Sequence, residues 1–186
     1  MADRLDFQLL SAGLRRMGWI RFWIQLTLGV VVMGILLTQK IGDSFKQNSE
    51  QVLEPGLGAA ISVTTLAFFV LLYSLWQGWL IVRLGRAISS DVRPSRGEAS
   101  RLLKRGVLVD LFGLVLAVVG YESYAGGLFF QTARQQPGLS IGAGMDNYTI
   151  TSLEMLSVLS NTQVLFAHFV GLLFSLWLLQ RIYRTN

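Results

Sequence analysis

Residues 57–82 read "LGAAISVTTLAFFVLLYSLWQGWLIV", a run without a single charged side chain. As a helix rising about 1.5 Å per residue it would be roughly 39 Å long. That exceeds the hydrocarbon thickness of a bilayer, about 30 Å. A buried helix of a soluble domain has no need of so long an apolar run, so the stretch predicts a transmembrane helix. Working outward from it, three further apolar segments stand out, giving spans at about 19–39, 57–82, 106–130 and 161–180. The expected fold class is all-α: an integral membrane four-helix bundle in one domain over residues 1–186.

Composition agrees. Of 186 residues, 52% are hydrophobic and 15% charged, where soluble domains carry about 25% charged residues. A pI near 10 suggests a nucleic-acid ligand only where the basic residues form a soluble face. Here they flank apolar runs, so no nucleic-acid partner is expected and the lipid bilayer is the first partner. The absence of cysteine excludes disulfides and thiolate metal ligands.

The positive-inside rule orients the chain. Residues 1–21 carry four Arg against two Asp, residues 83–105 six Arg and one Lys against two acids, and the tail Arg181 and Arg184. Residues 39–56 and 131–160 carry more acids than bases. Both termini and the middle loop are therefore expected inside, N-in/C-in, with 131–160 an external loop. Thr151 and Glu154 have capping-box spacing before the last span. Residues 1–18, with Leu5, Phe7 and Leu9 ahead of Arg15 and Arg16, read as an interfacial amphipathic helix. Trp19, Trp23, Trp76, Trp79 and Trp177 suit an aromatic belt on the inner side.

A weak internal repeat is also present. "LLYSLWQGWLIVRLGR" closes the second span and "LLFSLWLLQRIYR" the fourth, matching Ser74 with Ser175 and Trp76 with Trp177. "QLTLGVVVMG" in the first span resembles "DLFGLVLAVVG" in the third. Both pairings keep the same orientation, the mark of a candidate parallel two-helix repeat.

Polar groups inside the spans are the candidate functional residues, since a charge at the bilayer centre costs about 2.5–3.5 kcal/mol. Counting from the inner arginines places Glu122 and His168 roughly 25 and 20 Å deep, and Asp110, Gln77 and Gln25 about 6–9 Å deep. His168 and Glu122 are thus a candidate metal pair in the outer leaflet, imidazole and carboxylate suiting a divalent first-row ion. Glu122 falls about 120° around the helix from Asp110, so a bend at Gly120 or Gly126 is needed to align both. Asp110, Gln77 and Gln25 form a candidate polar path nearer the inside. The alternatives are a histidine bonded to a carbonyl or hydroxyl across a tight helix contact, and an Asp110 paired with Lys104, Arg105 or Arg21. Ala167, Gly171 and Ser175 form a small-residue stripe beside His168, and Gly113 and Ala117 share a face with Asp110; such stripes let helices approach closely. Arg83, Arg86, Arg93, Arg96, Arg101, Lys104 and Arg105 make a basic loop that could face a partner. No phosphate-binding glycine loop, zinc motif or nucleophile elbow occurs, and no enzymatic activity is expected.

The stretch "NTQVLFAHFVGLLFSLWLLQRIYR", residues 161–184, resembles a family of small four-span membrane proteins of cyanobacteria and plastids, carried on a domain of unknown function. Its plant members include a chloroplast inner-envelope Tic protein also described as a plastid iron permease. The Asn-Thr start, the Ala-His-Phe triplet and the Ser-Leu-Trp-Leu run carry the match. The resemblance implies a bacterial inner, thylakoid or plastid inner-envelope membrane, and metal-ion transport or homeostasis with iron or another divalent metal as the ion. The rival readings are a scaffold or translocon component, or an accessory subunit of a photosynthetic complex. Either reading expects a homo-oligomer or a larger membrane complex.

Overall fold

The computed structural model describes residues 2–46, 55–88, 94–133 and 152–184. All the elements among them are helices: α1 (Ala2–Lys46), α2 (Pro55–Ile88), α3 (Arg96–Ala133) and α4 (Ser152–Arg184). Local chemistry sets two of the starts. Pro55 opens α2 at the position where a missing N–H costs nothing. Ser95 and Glu98 form a capping box ahead of α3, the Glu98 N–H donating to Ser95 Oγ (3.2 Å) and the Ser95 N–H to Glu98 Oε2 (3.1 Å).

α1, α2 and α4 each contain 29 residues long and apolar enough to cross a membrane, at Ser11–Gln39, Ala60–Ile88 and Met155–Tyr183. The stretch 1–18, from Ala2 onward, is helical and runs unbroken into the first span, and the apolar stretch of α1 extends from Ser11. Of the expected external loop 131–160, α3 and α4 take the two ends; residues 134–151, Thr151 of the capping box among them, lie outside the described residues.

The helices pack in the order α1–α2–α3–α4, with α4 returning to α1 and α2 touching α4 across one diagonal. Among the described residues α1 and α3 make no close backbone approach across the other. Large apolar side chains such as Val30, Phe69, Leu108 and Phe112 are exposed while Arg21, Asp110 and His168 are fully buried. In water this distribution would be inverted; it belongs to a protein whose solvent is lipid, and the protein is integral to a membrane. The five tryptophans are all exposed, Arg83 lying over Trp79 and Arg181 over Trp177.

Four levels follow one another along the bundle. An apolar cluster of Leu14, Ile81, Leu103 and Leu178 occupies the end that carries the basic residues. A polar layer of Arg21, Gln25, Ser74, Asp110, His168 and Ser175 comes next, all fully buried. A second apolar cluster, with Val32, Phe68, Leu71, Ala117 and Val164, separates it from a far polar level of Gln39, Thr64, Ser157, Ser160 and Asn161.

Candidate functional site in the central polar layer

Gln25 and Ser74 stand at the midpoints of the apolar stretches of α1 and α2, and His168 stands beside that of α4, so the polar layer lies within the apolar part of these three helices. All four helices contribute to it. Arg21 of α1 is its centre. One terminal nitrogen donates to Ser175 Oγ of α4 (2.6 Å). The other donates to Ser74 Oγ of α2 (3.0 Å) and Asp110 Oδ2 of α3 (2.9 Å). Gln25, one turn along α1, donates to Ser74 Oγ (3.0 Å) and the Ala167 carbonyl (3.1 Å). Ser74 in turn donates to Asp110 Oδ1 (2.5 Å). The Arg21–Asp110 ion pair thus bridges the diagonal that the α1 and α3 backbones leave open.

His168 lies against the same carboxylate. Its Nδ1 is 3.4 Å from Asp110 Oδ1 and its Nε2 3.2 Å from the Ala67 carbonyl. A carbonyl and a carboxylate both only accept, so whichever ring nitrogen carries the proton donates to the oxygen it faces.

Two glycines make the arrangement possible. A methyl group at Gly171 would fall on both Asp110 carboxylate oxygens and the Gln25 amide, and one at Gly113 on the His168 ring. The small-residue stripe expected at Ala167, Gly171 and Ser175, with Gly113 and Ala117 opposite, is buried throughout. It seats polar side chains as well as helices.

The candidate pair His168 and Glu122 is not brought together. Glu122 is exposed on α3, more than three turns beyond Asp110 and around the helix from it, and the histidine meets Asp110 instead. His168, thirteen residues from Arg181, lies level with Asp110, five residues from Arg105, so counts from the two arginines have no common origin and one polar layer replaces the two expected there. Gln77 is buried but turns to the Tyr73 hydroxyl (3.3 Å), and its Oε1 has no partner among the described residues. Of the basic loop, Arg83, Arg86, Arg101, Lys104 and Arg105 are exposed, Arg93 lies outside the described residues, and the Arg96 side chain is not described. Among the described residues no three His, Cys, Asp or Glu side chains gather. Two donors, one already held by a guanidinium, do not fit a resident divalent ion, which takes about four or more ligands.

Arg21 and Ser74 were not singled out as site residues from sequence. The signals were there: Arg21 and Gln25 are one turn apart, and Ser74 is matched with Ser175 by the repeat. The same alignment matches Gln25 with Asp110, and by extension Arg21 with Gly106, whose added methyl would lie 3.6 Å from an Arg21 nitrogen. The matched serines grip the two ends of one guanidinium.

Comparison with known proteins is consistent with this architecture. The chain is 28% identical over 175 residues to "Protein TIC 21, chloroplastic" of Arabidopsis thaliana, over 92% of this chain and 57% of that protein. It therefore spans little more than half the length of that relative. No solved structure matches it. The family described as "Protein of unknown function (DUF3611)" matches residues 4–183, and the chain belongs to that family.

Proposed function

We propose that this is a four-span, N-in/C-in transport protein for a small cation, with iron the first ion to test, and that the central polar layer is its moving part. The observation that carries the reading is the Arg21–Asp110–His168 cluster, fully buried where all four helices meet. Buried ionisable groups in a membrane are costly and mark ion paths and relays. α3 is the fourth span in this reading, supported by its seat between α2 and α4 and its exposed Leu108, Leu111, Phe112, Val115 and Val118. Orientation rests on the gathering of Arg15, Arg16, Arg83, Arg86, Arg101, Lys104, Arg105 and Arg181 at one end. No catalytic step is involved.

Arg21 and His168 share one carboxylate. Arg21 holds Oδ2 while His168 faces Oδ1, and the Arg21 bond is the one that closes the α1–α3 diagonal. A further positive charge at Oδ1 weakens the hold of Asp110 on Arg21 and biases α1 away from α3, a two-state switch driven by local charge. The ion is cargo, admitted when the diagonal opens, rather than a resident ligand. Uptake of ferrous iron into proteoliposomes, with and without an imposed pH gradient, tests this. His168→Gln and Asp110→Asn should lower proton-stimulated uptake about tenfold, equivalent to roughly 1.4 kcal/mol on the barrier. Uptake that is unchanged in both folded variants removes the layer from the pathway.

The exposed basic face at the α2–α3 end favours a second reading, a component that recruits partners within a membrane complex. The relative carries a Tic designation, in keeping with it. This reading expects complexes that co-purify with the wild type and are lost when Arg83, Arg86 and Arg101 are replaced by Gln.

A further inference from the structure

A groove of about 470 Å³ runs along the outer surface between α2 and α3, walled by Phe69 and Tyr73 on one side and Leu108 and Phe112 on the other, with Arg105 at its end. Its walls face lipid: Phe69, Leu108 and Phe112 are each more than half exposed. Arg105 is exposed as well. Among the described residues it makes no hydrogen bond or ion pair within the chain. The nearest carboxylate along α3, Asp110, faces the interior and is held by Arg21.

It stands five residues from Asp110, about 7.5 Å along the helix, at the end of the bundle that carries the basic residues. A lipid-facing guanidinium there directs its head toward the interface, where it attracts an anion. Lys104 and Arg101, both exposed on the preceding turn, add positive charge on the same side of the membrane.

We propose that the α2–α3 groove is a binding site for an anionic phospholipid. The phosphate pairs with Arg105, and one acyl chain lies between the Phe69–Tyr73 and Leu108–Phe112 walls. The groove itself carries no carboxylate and one cation, so its charge is complementary to such a headgroup, while its apolar length suits a chain. Basic pockets between membrane helices recognise anionic headgroups by the same means. The site rests on the membrane location of the protein and not on the transport reading, and either can fail without the other.

The test is native mass spectrometry of the full chain in neutral detergent, titrated with phosphatidylglycerol or phosphatidylcholine. Wild type should retain phosphatidylglycerol about 5-fold better than phosphatidylcholine, the worth of one basic residue at a membrane surface. Arg105→Gln should abolish that preference. Leu108→Trp, which fills the groove, should lower occupancy by both lipids. Arg83→Gln, equally basic and exposed but outside the groove, should leave the preference intact. Equal retention of the two lipids by wild type, equal losses in Arg105→Gln and Arg83→Gln, or unaltered binding in Leu108→Trp would each overturn the site.

Discussion

The bundle holds two buried polar levels separated by one apolar cluster, and they are built to different standards. In the central layer every charged group is bonded: the Arg21 guanidinium reaches three helices, and both Asp110 oxygens have partners. In the far level Gln39 donates to Ser157 Oγ (2.7 Å) and Thr64 to the Ala60 carbonyl. Yet among the described residues neither polar atom of the Asn161 amide has a partner. A neutral amide can be buried unbonded for a cost of about 1–3 kcal/mol, whereas an uncompensated charge costs several times more and obliges the neighbouring helices to answer it. The bonded level is therefore where side-chain identity is most constrained.

The largest effect that separates the two levels should come from Asp110→Leu. It leaves Arg21 buried without a counter-charge and should lower stability by about 3–5 kcal/mol, read as a fall in Tm of the detergent-purified chain. Converting the pair together, Arg21→Met with Asp110→Leu, should recover most of that loss. A double variant as unstable as the single one would mean that the layer is held by something other than its charges. Next in size, Gly171→Ala should cost about 1–3 kcal/mol by overpacking Asp110 and Gln25. Gly34, whose added methyl would touch nothing, should accept the same change within about 0.5 kcal/mol. Equal responses at the two glycines would show that the layer yields. In the far level Gln39→Leu should cost about 0.6 kcal/mol, the average of interhelical hydrogen bonds in membranes. Smallest of all, Asn161→Leu should be neutral or stabilising, since it removes an unbonded amide. A marked loss of stability there would erase the contrast.

Hydropathy and charge placement were enough to find the helices, because long apolar stretches and their basic flanks are one-dimensional signals. The small-residue stripe correctly turned His168 toward the bundle, and Arg21 was among the partners considered for Asp110. What failed was the ruler. Depth was counted from arginines assumed to lie at the interface, yet Arg21 sits within the membrane because its cost is met by groups on three other helices. No count along one segment can reveal that. His168 was counted from Arg181 and Glu122 from Arg105, two origins that do not lie at one level, since His168 meets Asp110 five residues from Arg105; rotation about α3 had already argued against aligning the two carboxylates. Ser74 was legible only as half of a repeat, and its role appeared once its counterpart, Ser175, was found at the other end of the same guanidinium.

The Arg21–Asp110 pair also has an order in time. Its members are 89 residues apart, so during synthesis α1 reaches the membrane with its arginine long before the carboxylate exists. An arginine within a span is opposed by up to roughly 2.5–3.5 kcal/mol on insertion. The guanidinium of the first helix therefore waits for α3 to supply its counter-charge, and the layer is complete only when α4 follows with Ser175 and His168.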